Sequence, residues 1–120
     1  MARFYPGRND GIDGCPRRTA DLINATVAAA FTVPLSEMRH RSRRRATVAL
    51  ARQSAMYLAH VTLGLTFAEV GRVFGRDRTT AAYACRKIED RRTDVRLDLA
   101  LAELEQVLRR DVVSTLGAVS

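Results

Sequence analysis

The chain of 120 residues contains no tryptophan, one lysine, three prolines and two cysteines, and each scarcity removes a class of protein. Without tryptophan, and with few aromatics that do not alternate with basic residues, the stacking platform of a single-strand binder is missing. Cys15 and Cys85 fit no metal-ligand spacing, so no metal is expected, and Cys85 reads as a small buried hydrophobe. No Gly-x-x-x-x-Gly-Lys-Ser/Thr stretch occurs, which removes the phosphate-cradling loop of an ATPase and with it a nucleotide or other cofactor. His40 and His60 stand alone, and Glu103 and Glu105 fall on opposite sides of a helical pattern, so no acid–base pair forms and no enzyme is expected. No signal-peptide core or membrane-length apolar run is present. The expected compartment is the bacterial cytoplasm, on the nucleoid. No alternating strand pattern, repeat or low-complexity stretch occurs either, which leaves an all-α fold.

What is present is arginine. The net charge is +7 and the isoelectric point near 10.6, a balance that favours a polyanionic partner. Codon bias in a GC-rich genome can set the ratio of arginine to lysine, but it does not explain where the charge sits. Residues 1–38 sum to zero, residues 39–92 carry net +9, and residues 93–120 carry net −2. The excess is one contiguous segment.

Glycines and prolines break every element in residues 1–17, which read as a tail. Thr19 is the expected cap of a first helix carrying Leu22, Ile23, Val27, Ala30 and Phe31 inward, and Pro34 ends it. One short turn then carries Leu35 and Met38. Five arginines lie between Arg39 and Arg45 and cannot pack on one another, so that run is a solvated arm. Thr47 is the expected cap of a long helix to about Thr62, with Val48, Ala51, Ala55, Leu58, Tyr57 and Val61 inside and Gly64 as its stop.

Thr66 and Glu69 have capping-box form and start a short helix with Val70, Val73 and Phe74 inward. Gly75 breaks it. Asp77 or Thr79 caps the next helix, which runs to about Arg92 with Ala81, Cys85 and Ile88 inside. Two short helices joined by a tight glycine-containing turn are the sequence form of a helix-turn-helix. A last helix over about 95–113 repeats Leu97, Leu101, Leu104 and Leu108 as a narrow seam. Two uses are open to that seam: folding back on its own domain, or a surface for a weak homodimer or protein partner. The organisation expected is therefore a tail (1–17), a helix-turn-helix domain (18–94) and a C-terminal amphipathic helix with its own tail (95–120).

In a helix-turn-helix the second helix enters the major groove and side chains near its start reach base edges. Here that start reads Arg76-Asp77-Arg78-Thr79-Thr80. Arginine can fork onto guanine, aspartate can accept from cytosine, and threonine can offer its methyl to thymine. Tyr83, Arg86 and Lys87 are expected to project outward, where phosphates pass. A solvated turn followed by good helix starters has the same residues. The basic arm on the other side of the hairpin strengthens the binding reading, because a flexible arginine arm beside a major-groove helix can read both grooves.

The run Arg76-Asp-Arg-Thr-Thr80 followed by Ala84-Cys-Arg-Lys-Ile-Glu89, after a basic arm and a helix holding Arg52-Gln53, resembles the C-terminal DNA-binding domain of the bacterial replication initiator DnaA over about residues 19–92. The resemblance implies that Arg44, flanked by Arg43 and Arg45, enters the minor groove. It implies that Arg52 and Gln53 hold phosphates, that Asp77, Arg78, Thr79 and Thr80 face the major groove, and that Lys87 supports phosphate contacts. It implies duplex DNA with AT-rich boxes as partner, and transcriptional regulation or modulation of replication initiation as role. Opening on Met1 without an ATPase loop, the chain is expected to be a stand-alone reader. The alternative is a nonspecific nucleoid-associated or protein-interaction module that uses the leucine seam.

Two departures stand out. Arg78 replaces a histidine usual in the family, and Gly75 stands where two glycines usually precede Arg-Asp, which predicts a turn one residue shorter and a tilted reading helix.

Replacing Arg43, Arg44 and Arg45 together with alanine is expected to weaken binding to every duplex. The slope of log affinity against log salt should flatten by roughly 1 to 3 units, about one per lost phosphate contact. Titrations at several salt concentrations check this, and an unchanged slope excludes phosphate contact by the arm.

Overall fold

The computed structural model describes residues 16–38 and 46–119, with side chains described between 18 and 110. Six helices follow one another among them: α1 (Pro16–Phe31), α2 (Leu35–Met38), α3 (Ala46–Leu63), α4 (Phe67–Phe74), α5 (Arg78–Arg91) and α6 (Val95–Val119). No strand occurs among the described residues, so the all-α expectation holds.

Helix α3 is the hub, packing against all five other helices. Its sequence explains why. From Ser54 to Ala59 every residue is buried, together with Val48 and Ala51, so the helix is enclosed on nearly all sides. Ala51, Ala55 and Ala59 are fully buried and let neighbouring helices approach closely. Ser54 is equally buried, and its hydroxyl makes no hydrogen bond. It serves there by its small size. Ile23 and Val27 of α1, Val70 of α4, and Ala81, Ala84, Cys85 and Ile88 of α5 complete the core around this hub.

Several boundaries differ from the sequence reading. Helix α1 begins at Pro16, so Thr19 lies inside it and is buried rather than capping it. Proline suits a first helical position, where its missing N–H costs nothing. The tail assigned to residues 1–17 otherwise falls outside the described residues. Leu22 and Ala30 of α1, Leu35 of α2 and Val61 of α3 face solvent, so the buried stripes are narrower than the apolar ones. Helix α3 begins at Ala46, one residue before Thr47. Thr32, the residue after α1, has a φ of 55°, the left-handed conformation normally left to glycine. The Val33 amide closes this end by donating to the Ala28 carbonyl at 2.9 Å.

The leucine seam has one use. Leu97, Leu101, Leu104 and Leu108 are all buried in the chain's own core, where α6 covers α3 and α1. The homodimer or partner surface considered for these four residues is therefore corrected: the seam has no exposed face to offer.

The α4–α5 turn is held by a close approach. Gly71 is buried, and its carbonyl accepts from the Gly75 and Arg76 amides, the latter at 2.7 Å. A Cβ on Gly71 would stand 2.6 Å from the Arg76 carbonyl oxygen and 3.1 Å from that of Asp77. Only the absence of a side chain lets the turn fold back there.

Two variants should move stability in opposite directions. Gly71→Ala is expected to cost about 2 kcal/mol, because the new methyl meets backbone rather than a side chain that can swing away. Thr32→Gly is expected to gain about 0.5–1 kcal/mol, because the left-handed strain relieved exceeds the entropy glycine adds to the unfolded chain. Urea denaturation of each variant against wild type measures both, and a stable Gly71→Ala protein overturns the close-approach argument.

Candidate nucleic-acid interface

Helix α5 is built to stand firmly and to present its start. Thr66 caps α4 through the Glu69 amide at 3.1 Å, and the Glu69 carboxylate accepts from the Thr66 amide at 2.8 Å, so both halves of the capping box are formed. Gly75, with φ of 71°, ends α4 in the left-handed conformation. Phe74 is the last residue of α4 and packs against the core. Three residues, Gly75, Arg76 and Asp77, join α4 to α5.

Of the two caps considered, Asp77 is the one used. Its carboxylate accepts from the Thr80 amide at 2.7 Å. That backbone hydrogen bond, with help from the Thr80 side chain and the Thr79 amide, holds the Asp77 carboxyl below its ordinary pKa. Directly after this cap, Arg78, Thr79 and Thr80 are consecutive and exposed. One turn on, Tyr83 is 53% exposed, and Arg86 and Lys87 are exposed beside it. The Lys87 ammonium lies 5.8 Å from the centre of the Tyr83 ring. The opposite face, with Ala81, Ala84, Cys85 and Ile88, is buried on α3, where the Cys85 thiol points at the Met56 carbonyl at 3.9 Å. Burial, assisted by the Glu89 charge, pushes that thiol up to about 11, which leaves it a neutral packing group.

The sequence-predicted residues divide into three groups. Arg76, Asp77, Arg78, Thr79, Thr80 and Lys87 share the turn and α5, with Arg76 half-buried and the rest exposed. Arg52 and Gln53 lie on α3, which packs directly on α5, and both are half-buried. Arg52 also has a structural duty, because its Nε donates to the Glu37 carbonyl of α2 at 3.0 Å. Arg43, Arg44 and Arg45 lie outside the described residues, in the stretch that leads into α3.

Sequence reasoning missed Arg92. It caps the C-terminal end of α5, and its guanidinium uses every nitrogen. Nε donates to Asp98 at 2.6 Å, Nη1 to the Tyr57 hydroxyl at 2.9 Å and to Glu105 at 2.7 Å, and Nη2 to the Asp98 carbonyl at 3.3 Å. Burial works against the charge on Arg92, yet the hydrogen bonds with Tyr57, Glu105 and Asp98 outweigh it and raise the pKa. Burial likewise raises the Tyr57 phenol, and Arg92 opposes that shift. Among so many arginines nothing local distinguishes Arg92; the nearest signal is the pair Asp98 and Glu105, two turns apart on one helical face. No cluster of three or more potential metal ligands occurs among the described residues. None of the described helices is long and apolar enough to cross a membrane.

A short capped helix, a three-residue glycine turn and a second helix with one buried and one polar face define a helix-turn-helix domain of the kind whose second helix enters a duplex groove. The chain belongs to the family described as bacterial dnaA protein helix-turn-helix, whose profile matches residues 20–88. It is 35% identical over 122 residues to the chromosomal replication initiator protein DnaA of Bordetella avium, covering 90% of this chain and 25% of that one. It is 41% identical over 93 residues to the same protein of Bordetella pertussis and 40% identical to that of Burkholderia multivorans, covering 76% of this chain each time. The chain spans a quarter or less of the length of these relatives. A solved structure of replication initiator DnaA bound to AMPPCP and single-stranded DNA superposes with a TM-score of 0.69 at 23% identity, over 90% of this chain and 33% of that chain, which shows a shared fold.

The depressed Asp77 carboxyl makes the start of α5 sensitive to acid. A depressed carboxylate contributes stability above its unfolded pKa and loses it as pH falls through the folded one. Protection of the Thr80 amide should therefore hold at neutral pH and fall below the ordinary carboxylate range. In Asp77→Asn, which caps without titrating, that acid limb should vanish. Amide exchange against pH reads both, and an acid limb that survives in Asp77→Asn excludes the cap as its source.

Proposed function

We propose that this chain binds double-stranded DNA with sequence preference, laying α5 in the major groove and the 39–45 arm along the adjacent minor groove. The observation that carries the reading is the start of α5. Arg78, Thr79 and Thr80 stand exposed and consecutive on a helix whose cap is formed and whose other face is buried on the hub. In this reading Arg76, Asp77, Arg78, Thr79 and Thr80 face bases or the phosphates beside them, and Lys87, Arg52 and Gln53 hold the backbone. Arg43, Arg44 and Arg45 supply the arm. Asp77 has one carboxylate oxygen engaged in capping, which fixes the direction in which the other can accept. The net +9 of residues 39–92 draws the duplex in and makes affinity strongly salt-dependent. Transcriptional control, or competition at initiator boxes, is the role that such a reader performs. It requires no cofactor, no bound nucleotide and no catalytic step, and it is exercised in the cytoplasm, on the nucleoid.

Specificity at one base pair follows from Arg78. Histidine offers one donor per ring nitrogen, whereas arginine offers a planar fork matched to the two acceptors of guanine. Arg78 is exposed, so Arg78→His leaves the fold intact. Selection from a random duplex library should give wild type a preference for G·C at one position, worth about 1–3 kcal/mol there. Arg78→His should remove that preference and keep the rest of the site. If both proteins enrich the same sequence at every position, Arg78 is a phosphate contact. If wild type enriches nothing over random duplex, binding is nonspecific and the reading fails.

A further inference from the structure

We propose that Arg92 is a positioning residue for base reading: it sets the axis of α5 from the end opposite the one that reads. This rests on the duplex-DNA reading above and adds a part of the machinery that touches no DNA.

Helix α5 has 14 residues and is about 21 Å long, so a tilt of about 3° about its C-terminal end moves its first residue by about 1 Å. The N-terminal end is attached through the Gly75–Asp77 turn to α4, a helix of only eight residues. The middle of α5 sits on α3 through Ala81, Ala84, Cys85 and Ile88. Ala81, Ala84 and Cys85 are small and interlock little against sliding or rocking, which leaves Ile88, near the C-terminal end, as the one large side chain of this contact. At the C-terminal end the constraint is of another kind. Arg92 is anchored to α3 through Tyr57 and to α6 through Asp98 and Glu105, four hydrogen bonds in directions set by one rigid planar group. The anchors are themselves fixed. Tyr57 is 5% exposed on the hub. Asp98 and Glu105 stand on a helix whose leucine seam is buried and whose start is capped, the Asp94 carboxylate accepting from the Arg96 amide at 3.0 Å. The Arg92 side chain is 20% exposed and that of Glu105 16%, so this pair is shielded more than a surface ion pair, whereas Asp98 is 47% exposed and contributes mainly direction.

A clasp of this kind affects the two components of DNA binding unequally. Coulomb attraction to phosphates declines over a Debye length of about 8 Å and tolerates a shift of 1 Å. Hydrogen bonds to base edges do not tolerate it, because they weaken steeply with distance and angle. Loosening Arg92 therefore degrades sequence preference and spares general affinity. A residue that only holds the fold together would lower both in proportion to the unfolded fraction.

The test uses the full chain with Arg92→Lys, which keeps the charge and loses the fork, and Glu105→Gln, which keeps shape and loses one charged partner. Circular dichroism sets a temperature at which each is fully folded. Affinity is then measured for the library-selected duplex and for random duplex, and the Thr79 and Thr80 amide resonances are recorded in the free proteins. Both variants should bind the selected duplex about tenfold more weakly, the scale of one mismatched base pair. Binding to random duplex should stay within about twofold, with the same salt slope. In Arg92→Lys the Thr79 and Thr80 amides should shift although they lie at the far end of α5. Unchanged selectivity, or an equal loss on both duplexes, overturns the proposal. If Arg92→Lys does not fold, Glu105→Gln decides by the same criteria. If wild type itself shows no selectivity, the function reading fails separately, and the clasp is judged on the amide shifts alone: unmoved Thr79 and Thr80 overturn it.

Discussion

The seating of α5 on α3 is the constraint from which the rest follows. The polar side of α5 has a defined direction only because the other side is buried, and apart from Ile88 that burial is achieved with small side chains. Ala81 and Ala84 on α5, and Ala51, Ala55 and Ala59 on α3, are all buried. Small residues at a helix contact bring the two backbones close. They shift part of the burden of fixing the helix from interdigitation onto its ends. This is why so much specific chemistry sits at those ends: the Gly71 approach, the Gly75 cap and the Asp77 carboxylate at one, and the Arg92 clasp at the other.

Arginine is one letter in the sequence and three different instruments in the fold. Arg78 is exposed at the start of α5. Arg52 is half-buried and holds the Glu37 carbonyl, so α2 and α3 are joined through it. Arg92 is enclosed by two carboxylates and a phenol. The C-terminal segment carries the chain's local acidic excess, and part of that excess is there to receive Arg92. The balance between a net +9 centre and a net −2 end is thus partly an internal pairing, and the surface field of the centre is correspondingly less than its formal charge.

What the sequence made legible was local. Thr66 with Glu69, Gly64, Gly75 and Asp77 act within four residues of themselves, and a pattern confined to one turn of helix can be read without knowing the fold. The inner faces of α3 and α5 were legible for the same reason, since an apolar period needs only its own helix. Legibility failed where an outcome depended on a partner distant in sequence. Leu22 and Val61 fit their helical stripes but lie at the edges of what neighbouring helices cover. The seam of α6 had two physically sound uses, and only the presence of α1 and α3 beneath it decides for the core. Gly71 looked like an ordinary helical glycine, because its reason is the backbone of residues five and six places on. Arg92 was invisible because Tyr57 is 35 residues away.

The candidate reading residues share a property that the structural residues lack. Arg78, Thr79 and Thr80 contribute no side chain to the core, whereas Ala81, immediately after them, is wholly buried. If α5 lies in a groove as proposed, a substitution at 78 changes what the helix offers there at almost no cost in stability. One at 81 or 92 disturbs how the helix is seated. In the proposed reading, the fold therefore separates the code from the frame within four consecutive positions. A histidine-to-arginine change at the reading position is open to such a scaffold without compensation elsewhere, provided that the clasp at the far end keeps the helix where it was.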